Sequence, residues 1–308
     1  MIDVSDRRLV LVLGKGGVGR STVAAALAGR SAARGKKTLL FEANATDRLG
    51  SYFGKPPVGT ELVELAPNLS AVNATAQSAL AEYGLMILKF KSVYEMVFEN
   101  RITKAFLRAI PGLNEYALLG KAWFHTTETT RGKPAWEQLV FDMPASGHAM
   151  SMLRIPWVIT DTVPDGPLTR DARTIAALLR DPAKTAAIIV TLAEEMPVNE
   201  TVELEQKLGA LGIQPQHVVC NQIFPEHFPP GSPVANVLGA LGDGVGLASP
   251  LRELAAHGSL SRDRHALNAR YLAELKNRVK APVHELPIVF ASSLSPANVR
   301  ELGAKLTT

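Results

Sequence analysis

The chain has 308 residues, 46% hydrophobic and 20% charged, a balance that buries a sizeable core and excludes a disordered chain. Its formal charge of +4 is thin over this length; basic residues neither cluster in long runs nor interleave with aromatics, so no nucleic-acid partner is expected. Cys220 stands alone, which excludes an intramolecular disulfide and a multi-cysteine metal site within one chain.

Met1 to Asp6 carries acids ahead of a strand, unlike a signal peptide. No stretch approaches the roughly 18 to 20 uninterrupted apolar residues of a membrane span, so a cytoplasmic protein without an integral membrane segment is expected. Leu9 to Leu13 is a continuous apolar run ending in glycines, the pattern of a strand buried on both faces of a parallel sheet. The alanine-rich stretch Thr22 to Ala33 reads as a helix and Lys37 to Phe41 as the next strand, completing a βαβ unit. Glu82 to Phe98 is rich in helix formers and large apolar groups, among them Tyr83, Met86, Phe90 and Met96; Arg101 to Ile110 continues until Pro111-Gly112 stops it. No strand pattern interrupts this stretch. Residues 76–125 therefore read as a helical subdomain inserted into one α/β domain spanning 1–308.

The strand rhythm resumes with Glu137 to Phe141, ending in Asp142, and with Thr185 to Leu192, followed by a helix from about Val198 to Leu211. His217 to Cys220 is a further strand, ending in Asn221. Phe228 to Pro250, rich in glycine and proline, reads as a loop or broken helices. A polar-faced helix over Arg264 to Val279, a last strand at Leu286 to Phe290 and a helix at Pro296 to Leu306 close the chain. The expected fold is α/β: a doubly wound, mostly parallel sheet with an inserted helical subdomain.

Between the first strand and helix lies Gly14-Lys15-Gly16-Gly17-Val18-Gly19-Arg20-Ser21-Thr22. It follows the phosphate-loop pattern G-x-x-x-x-G-K-[ST], with arginine in the lysine position. Glycines let the backbone wrap a phosphate so that successive N–H groups point inward, and the helix behind adds its positive end. The candidate cofactors are thus ATP and Mg²⁺. Ser21 would ligate the cation, Thr22 would bond the α-phosphate, and Gly14, Gly16, Gly17, Val18, Gly19 and Arg20 would cradle the rest. Arg20 keeps the charge of lysine but presents a planar fork. Asp142, at the carboxyl end of a buried strand, sits where an acid can hold Mg²⁺ through water.

Lys15, directly after the first glycine, resembles the deviant phosphate loop of MinD, ParA, nitrogenase iron protein and the ArsA-type ATPases. In that group the lysine reaches across a dimer interface to the partner's nucleotide. Asp142-Met143-Pro144-Ala145-Ser146-Gly147-His148 resembles the ArsA-type pattern D-T-A-P-[TS]-G-H, departing at Met143, Pro144 and Ala145. Ile110 to Glu115 is similar to the family's I-P-G-[IM]-D-E, Glu194 to Thr201 to its nucleotide-lining stretch, and Val219 to Gln222 to its V-N-Q. The resemblance implies that Asn221 reads the adenine edge, Pro197 lies along the nucleotide and His148 couples nucleotide state to conformation. It also implies a homodimer, or a heterodimer with a paralogue, and a helical region that in the targeting branch receives a hydrophobic helix client.

Two departures bear on rate and cargo. The family's S-T-D-P-A-H, whose aspartate polarises the attacking water, aligns with Glu42 to Asp47 and places Asn44 at the aspartate position. An amide orients water but does not take its proton, so slow hydrolysis is expected, with Glu42 or Asp47 near enough to assist. Cys220 alone supplies neither the thiolate set of an arsenite site nor the C-x-x-C of a zinc-bridged dimer. The other readings are a MinD/ParA-like positioning ATPase, or a nucleotide-holding regulatory subunit of a heterodimer.

Overall fold

The computed structural model describes residues 2–43, 48–88, 112–229, 231–242, 246 and 248–306, with backbone only at 83–88. In chain order the elements are β1 (Leu9–Gly14), α1 (Arg20–Ala33), β2 (Thr38–Ala43), α2 (Leu49–Tyr52), β3 (Val63–Ala66), β4 (Leu69–Ala74) and α3 (Ala76–Leu88). Then come α4 (Leu113–Thr127), a ribbon of β5 (Thr129–Thr130) and β6 (Lys133–Pro134), β7 (Gln138–Asp142), α5 (Ser146–Thr162) and α6 (Pro167–Arg180). The chain ends with β8 (Thr185–Leu192), α7 (Glu195–Ala210), β9 (Pro215–Ile223), α8 (Pro233–Leu241), α9 (Ser249–Arg278), β10 (Val283–Pro287) and α10 (Pro296–Lys305).

The main sheet has eight strands in the order β10-β9-β8-β1-β7-β2-β4-β3. Every neighbouring pair is parallel except β3 with β4 at one edge. Strands β1, β2 and β7 are buried along their whole length, as their uninterrupted apolar runs require when helices cover both faces. This is the doubly wound α/β architecture expected from the sequence.

Successive side chains alternate between two cores. Val10, Val12, Leu40, Val140 and Ile188 face α1 and α10, packing on Val23, Leu27 and Leu302. Leu11, Leu39, Phe41, Leu139 and Phe141 face the other layer, built by α4 to α7 and α9. Phe41 and Phe141 meet there edge to face with centroids 4.8 Å apart, an arrangement their ring quadrupoles favour. Tyr116, Leu118 and Leu119 of α4 belong to this same core, so α4 is rooted in the sheet, and α3 packs on α4. The expected helices over 89–110 lie outside the described residues.

The glycine- and proline-rich stretch after β9, expected as a loop or broken helices, holds the short helix α8 and the start of α9. Ser232 caps α8 by accepting from the Ala235 N–H at 3.1 Å, and prolines early in α8 and α9 sit where a missing N–H is harmless. Helix α9 consequently begins at Ser249 instead of Arg264 and runs for 30 residues. No described helix is long and apolar enough to cross a membrane.

Candidate functional site

β1 stands between β7 and β8 at the point where the chain turns from building one half of the sheet to the other. A crevice opens there beyond the carboxyl ends of the strands, the place where α/β sheets of this kind take ligands. The phosphate loop emerges into it. Gly14 has φ 150°, and a Cβ there would sit 2.3 Å from the Val190 carbonyl oxygen, so the loop is pressed against the end of β8. Gly16 and Gly17 are exposed, leaving their backbone open. Gly19, at φ 91°, starts α1 in the left-handed region, with no side-chain cap and no acid in the first turn. The helix's first N–H groups and its positive end are thus left for an anion.

Asn221 braces this loop from the end of β9. It is buried, its Nδ2 donates to the Val18 carbonyl at 3.0 Å, and a Cβ on Gly19 would lie 2.3 Å from that nitrogen. Beside it, Gln222 holds φ 58°, a left-handed conformation at the strand end. Between them and the segment after β10 lies a cleft of about 560 Å³, lined by Thr22, Tyr52, Asn221, Gln222, Val289 and Ser293 among others. Its size suits a small-molecule ligand. Thr22 Oγ1 lies 3.2 Å from the Tyr52 hydroxyl at its floor.

The acids stand on the α1 side of the sheet. Asp142 is in register with Val12 on β1 and with Glu42 on β2, so the two buried carboxylates are neighbours on adjacent strands. The Ser21 hydroxyl donates to Asp142, while Asp142 Oδ1 is buried with no hydrogen-bond partner among the described residues. Burial pushes the Asp142 carboxyl up to about 6; the Ser21 hydrogen bond and the Arg20 charge oppose that rise. Arg20 donates to the Met143 carbonyl. Burial pulls its pKa down and Asp142 pushes it back up, yet a guanidinium stays charged. An orphaned carboxylate oxygen beside a serine hydroxyl, both hard donors, fits a hydrated Mg²⁺.

Lys15 turns to the other wall of the loop. Its Nζ lies 2.7 Å from Glu200 Oε1 on α7. Gly14, Lys15, Ser146, Pro197, Glu200 and Thr201 share one narrow crevice there. Pro197 is therefore placed behind the phosphate loop, whereas Thr22 and Asn221 line the larger cleft. His148 is exposed on the first turn of α5. Asn44 and Asp47 lie outside the described residues. Tyr52 belongs to no motif, and Glu200 falls within the Glu194 to Thr201 stretch without a role of its own. The available signal for Glu200 was helical spacing, since Pro197, Glu200 and Thr201 fall on one face of α7.

A family model described as anion-transporting ATPase, the ArsA type, matches residues 7–164 and 168–231. The chain belongs to this family. The ATPase BagA of Mycobacterium tuberculosis is 29% identical over 233 residues, covering 74% of this chain and 68% of that protein. An arsenical pump-driving ATPase of Escherichia coli is 26% identical over 235 residues, 69% of this chain but 39% of the longer relative. The ATPase ASNA1 homolog of Cryptosporidium parvum is 25% identical over 269 residues, 75% of this chain and 70% of the relative. Membership in the ArsA family places the chain among nucleotide-binding ATPases, which agrees with a phosphate loop beside a buried strand-end aspartate.

Proposed function

We propose that this ArsA-family ATPase binds ATP with Mg²⁺ at the end of β1 and joins a second chain around the nucleotide. The observation that carries the reading is Asp142. Its carboxylate takes the Ser21 hydroxyl on one oxygen and leaves Oδ1 for a water in the cation's shell. Bound Mg²⁺ would neutralise charge on the phosphate oxygens. The chain's own residues do the remaining work. The loop N–H groups hold the phosphates, Thr22 bonds the α-phosphate, and Asn221 keeps Val18 in place beside the cleft that takes the nucleoside. Arg20 swings from the Met143 carbonyl to the phosphates, and Lys15 reaches the nucleotide of the second chain.

Turnover in this reading is slow. Asn44 orients the attacking water without accepting its proton, and Glu42, in register with Asp142, adds a negative charge. The helical region 76–125 is proposed to move with nucleotide state and to hold a hydrophobic helix. An apolar cleft of about 250 Å³, lined by Leu80, Tyr116, Trp123, Phe124, Leu168 and Ile175, has room for a few apolar side chains of such a helix. Metalloid cargo, suggested by the relatives' names, is not part of the proposal: Cys220 is buried and its thiol is pushed up to about 12, so it offers no thiolate.

The test is ATP binding titrated with Mg²⁺ in the wild type and in Asp142→Asn. The wild type should gain affinity with the cation, and the variant should keep magnesium-free binding while losing most of that gain, about tenfold or more. An undiminished Mg²⁺ effect in Asp142→Asn would remove Asp142 from the cation site.

A further inference from the structure

The family resemblance gives Lys15 a task on another chain's nucleotide, yet in this structure the lysine is engaged within its own chain. Its Nζ is 2.7 Å from Glu200 Oε1, on a helix 185 residues further along the sequence. Two features make that contact a product of the fold. Gly14 is paired with Val190 on β8 so closely that a Cβ would sit 2.3 Å from the Val190 carbonyl oxygen, which starts the loop packed against the end of β8 and puts Lys15 on the crevice that Glu200 also lines. Pro197, Glu200 and Thr201 then present one helix face to the same crevice, and the Thr201 hydroxyl donates to the Pro197 carbonyl at 2.8 Å, seating that turn.

We propose that Glu200 is a positioning residue that holds Lys15 in reserve in the nucleotide-free chain and must release it before Lys15 acts on a second chain's nucleotide. The inference rests on the reading of Lys15 as a residue acting in trans. The physical character of the pair suits such a latch. Both side chains are about one-third exposed, at 37% and 34%, so the ion pair is screened by water and its contribution is small. A nucleotide phosphate carries more negative charge than one carboxylate and outcompetes Glu200 once it is presented. A buried pair would have locked the lysine, whereas this one is weak enough to exchange.

The experiment compares wild type, Glu200→Gln, Lys15→Gln and the double variant in two measurements. The first is acylation of the Lys15 amine in the nucleotide-free protein, read by peptide mass spectrometry. Loss of the carboxylate should raise Lys15 reactivity by about two- to fivefold, the range an exposed ion pair supports. Unchanged reactivity would overturn the latch whatever Lys15 does later. The second is ATP-dependent hydrolysis, separated into half-saturating ATP and kcat. Glu200→Gln should lower half-saturating ATP by a similar factor of about two to five with kcat retained, and that gain should vanish in the Lys15→Gln background. A gain that persists without Lys15, or a kcat that falls in Glu200→Gln, would overturn the proposal. Full kcat in Lys15→Gln would instead overturn the in-trans reading, while the acylation result would still report on the resting contact.

Discussion

Asp142 must carry charge in a place that disfavours it. Its folded pKa, about 6, lies above the ordinary 3.8, so the folded chain binds a proton that the unfolded chain has released between those values. Stability contributed by this group is therefore present at low pH and is lost as pH rises through about 6, by roughly 3 kcal/mol in all. Asp142→Asn should accordingly stabilise the nucleotide-free protein by about 2–3 kcal/mol at pH 8, with the advantage shrinking towards pH 4, in urea denaturation at the two pH values. A destabilised variant at pH 8 would contradict this. The sign reverses for binding: Mg²⁺ needs the ionised carboxylate, so cation affinity should strengthen as pH rises from 5 to 7. Gly19 tests the other side of the site. A methyl group at Gly19→Ala would meet Asn221 Nδ2 at 2.3 Å in a left-handed backbone, displacing the brace on Val18. Nucleotide affinity measured by titration calorimetry should fall about tenfold or more, with about 1–3 kcal/mol of lost stability; wild-type affinity would show that the brace is dispensable.

Helices and strands were legible in the sequence to the extent that their signals are local. β1, β7 and β8 announce themselves as apolar runs, and the phosphate loop is a contiguous motif between a strand and a helix. β3 and β4 escaped notice because they are short, alternate with polar residues and turn through Asn68 at φ 62°. Helix α8 falls in the stretch read as a loop or broken helices, and the first half of α9 went unread because proline and glycine suggest breaks, although proline in a first helical turn is a start signal. The pairing of Lys15 with Glu200 and of Asn221 with Val18 spans 185 and 203 residues, and no local pattern encodes such contacts. At the β9–β10 edge, His217 Nδ1 and His284 Nε2 lie 3.0 Å apart. Burial and His284 lower the His217 pKa to about 4, and burial lowers that of His284. A depressed histidine contributes stability that is present above about pH 6.5 and lost as pH falls. In an Asp142→Asn background, which removes the opposing titration, Tm should drop from pH 7 to pH 5, and His217→Gln should flatten that drop. An unchanged slope would detach acid sensitivity from this edge.

The molecule as a whole gathers its candidate site at one end of a parallel sheet, where β1 delivers the phosphate loop, β7 the buried Asp142 and β9 the bracing asparagine. β1 and β7 are buried along their whole length and β9 is buried at Asn221, so the site is anchored in the core. Arg20 on the Met143 carbonyl and Lys15 on Glu200 are the two cations that must leave resting partners, and both departures follow from nucleotide binding in the proposed cycle. The sequence foretold this end of the sheet because glycine spacing and strand-end acids are written contiguously; it did not foretell that Arg20 meets the Met143 carbonyl or that Lys15 meets Glu200. The central claim is that ATP is turned over between two chains. ATPase rate per chain, measured with Mg²⁺ across a wide range of protein concentration, tests it most directly. The account predicts a rate per chain that climbs with concentration and then levels as chains pair; a rate per chain that stays constant from the most dilute sample upward would contradict it.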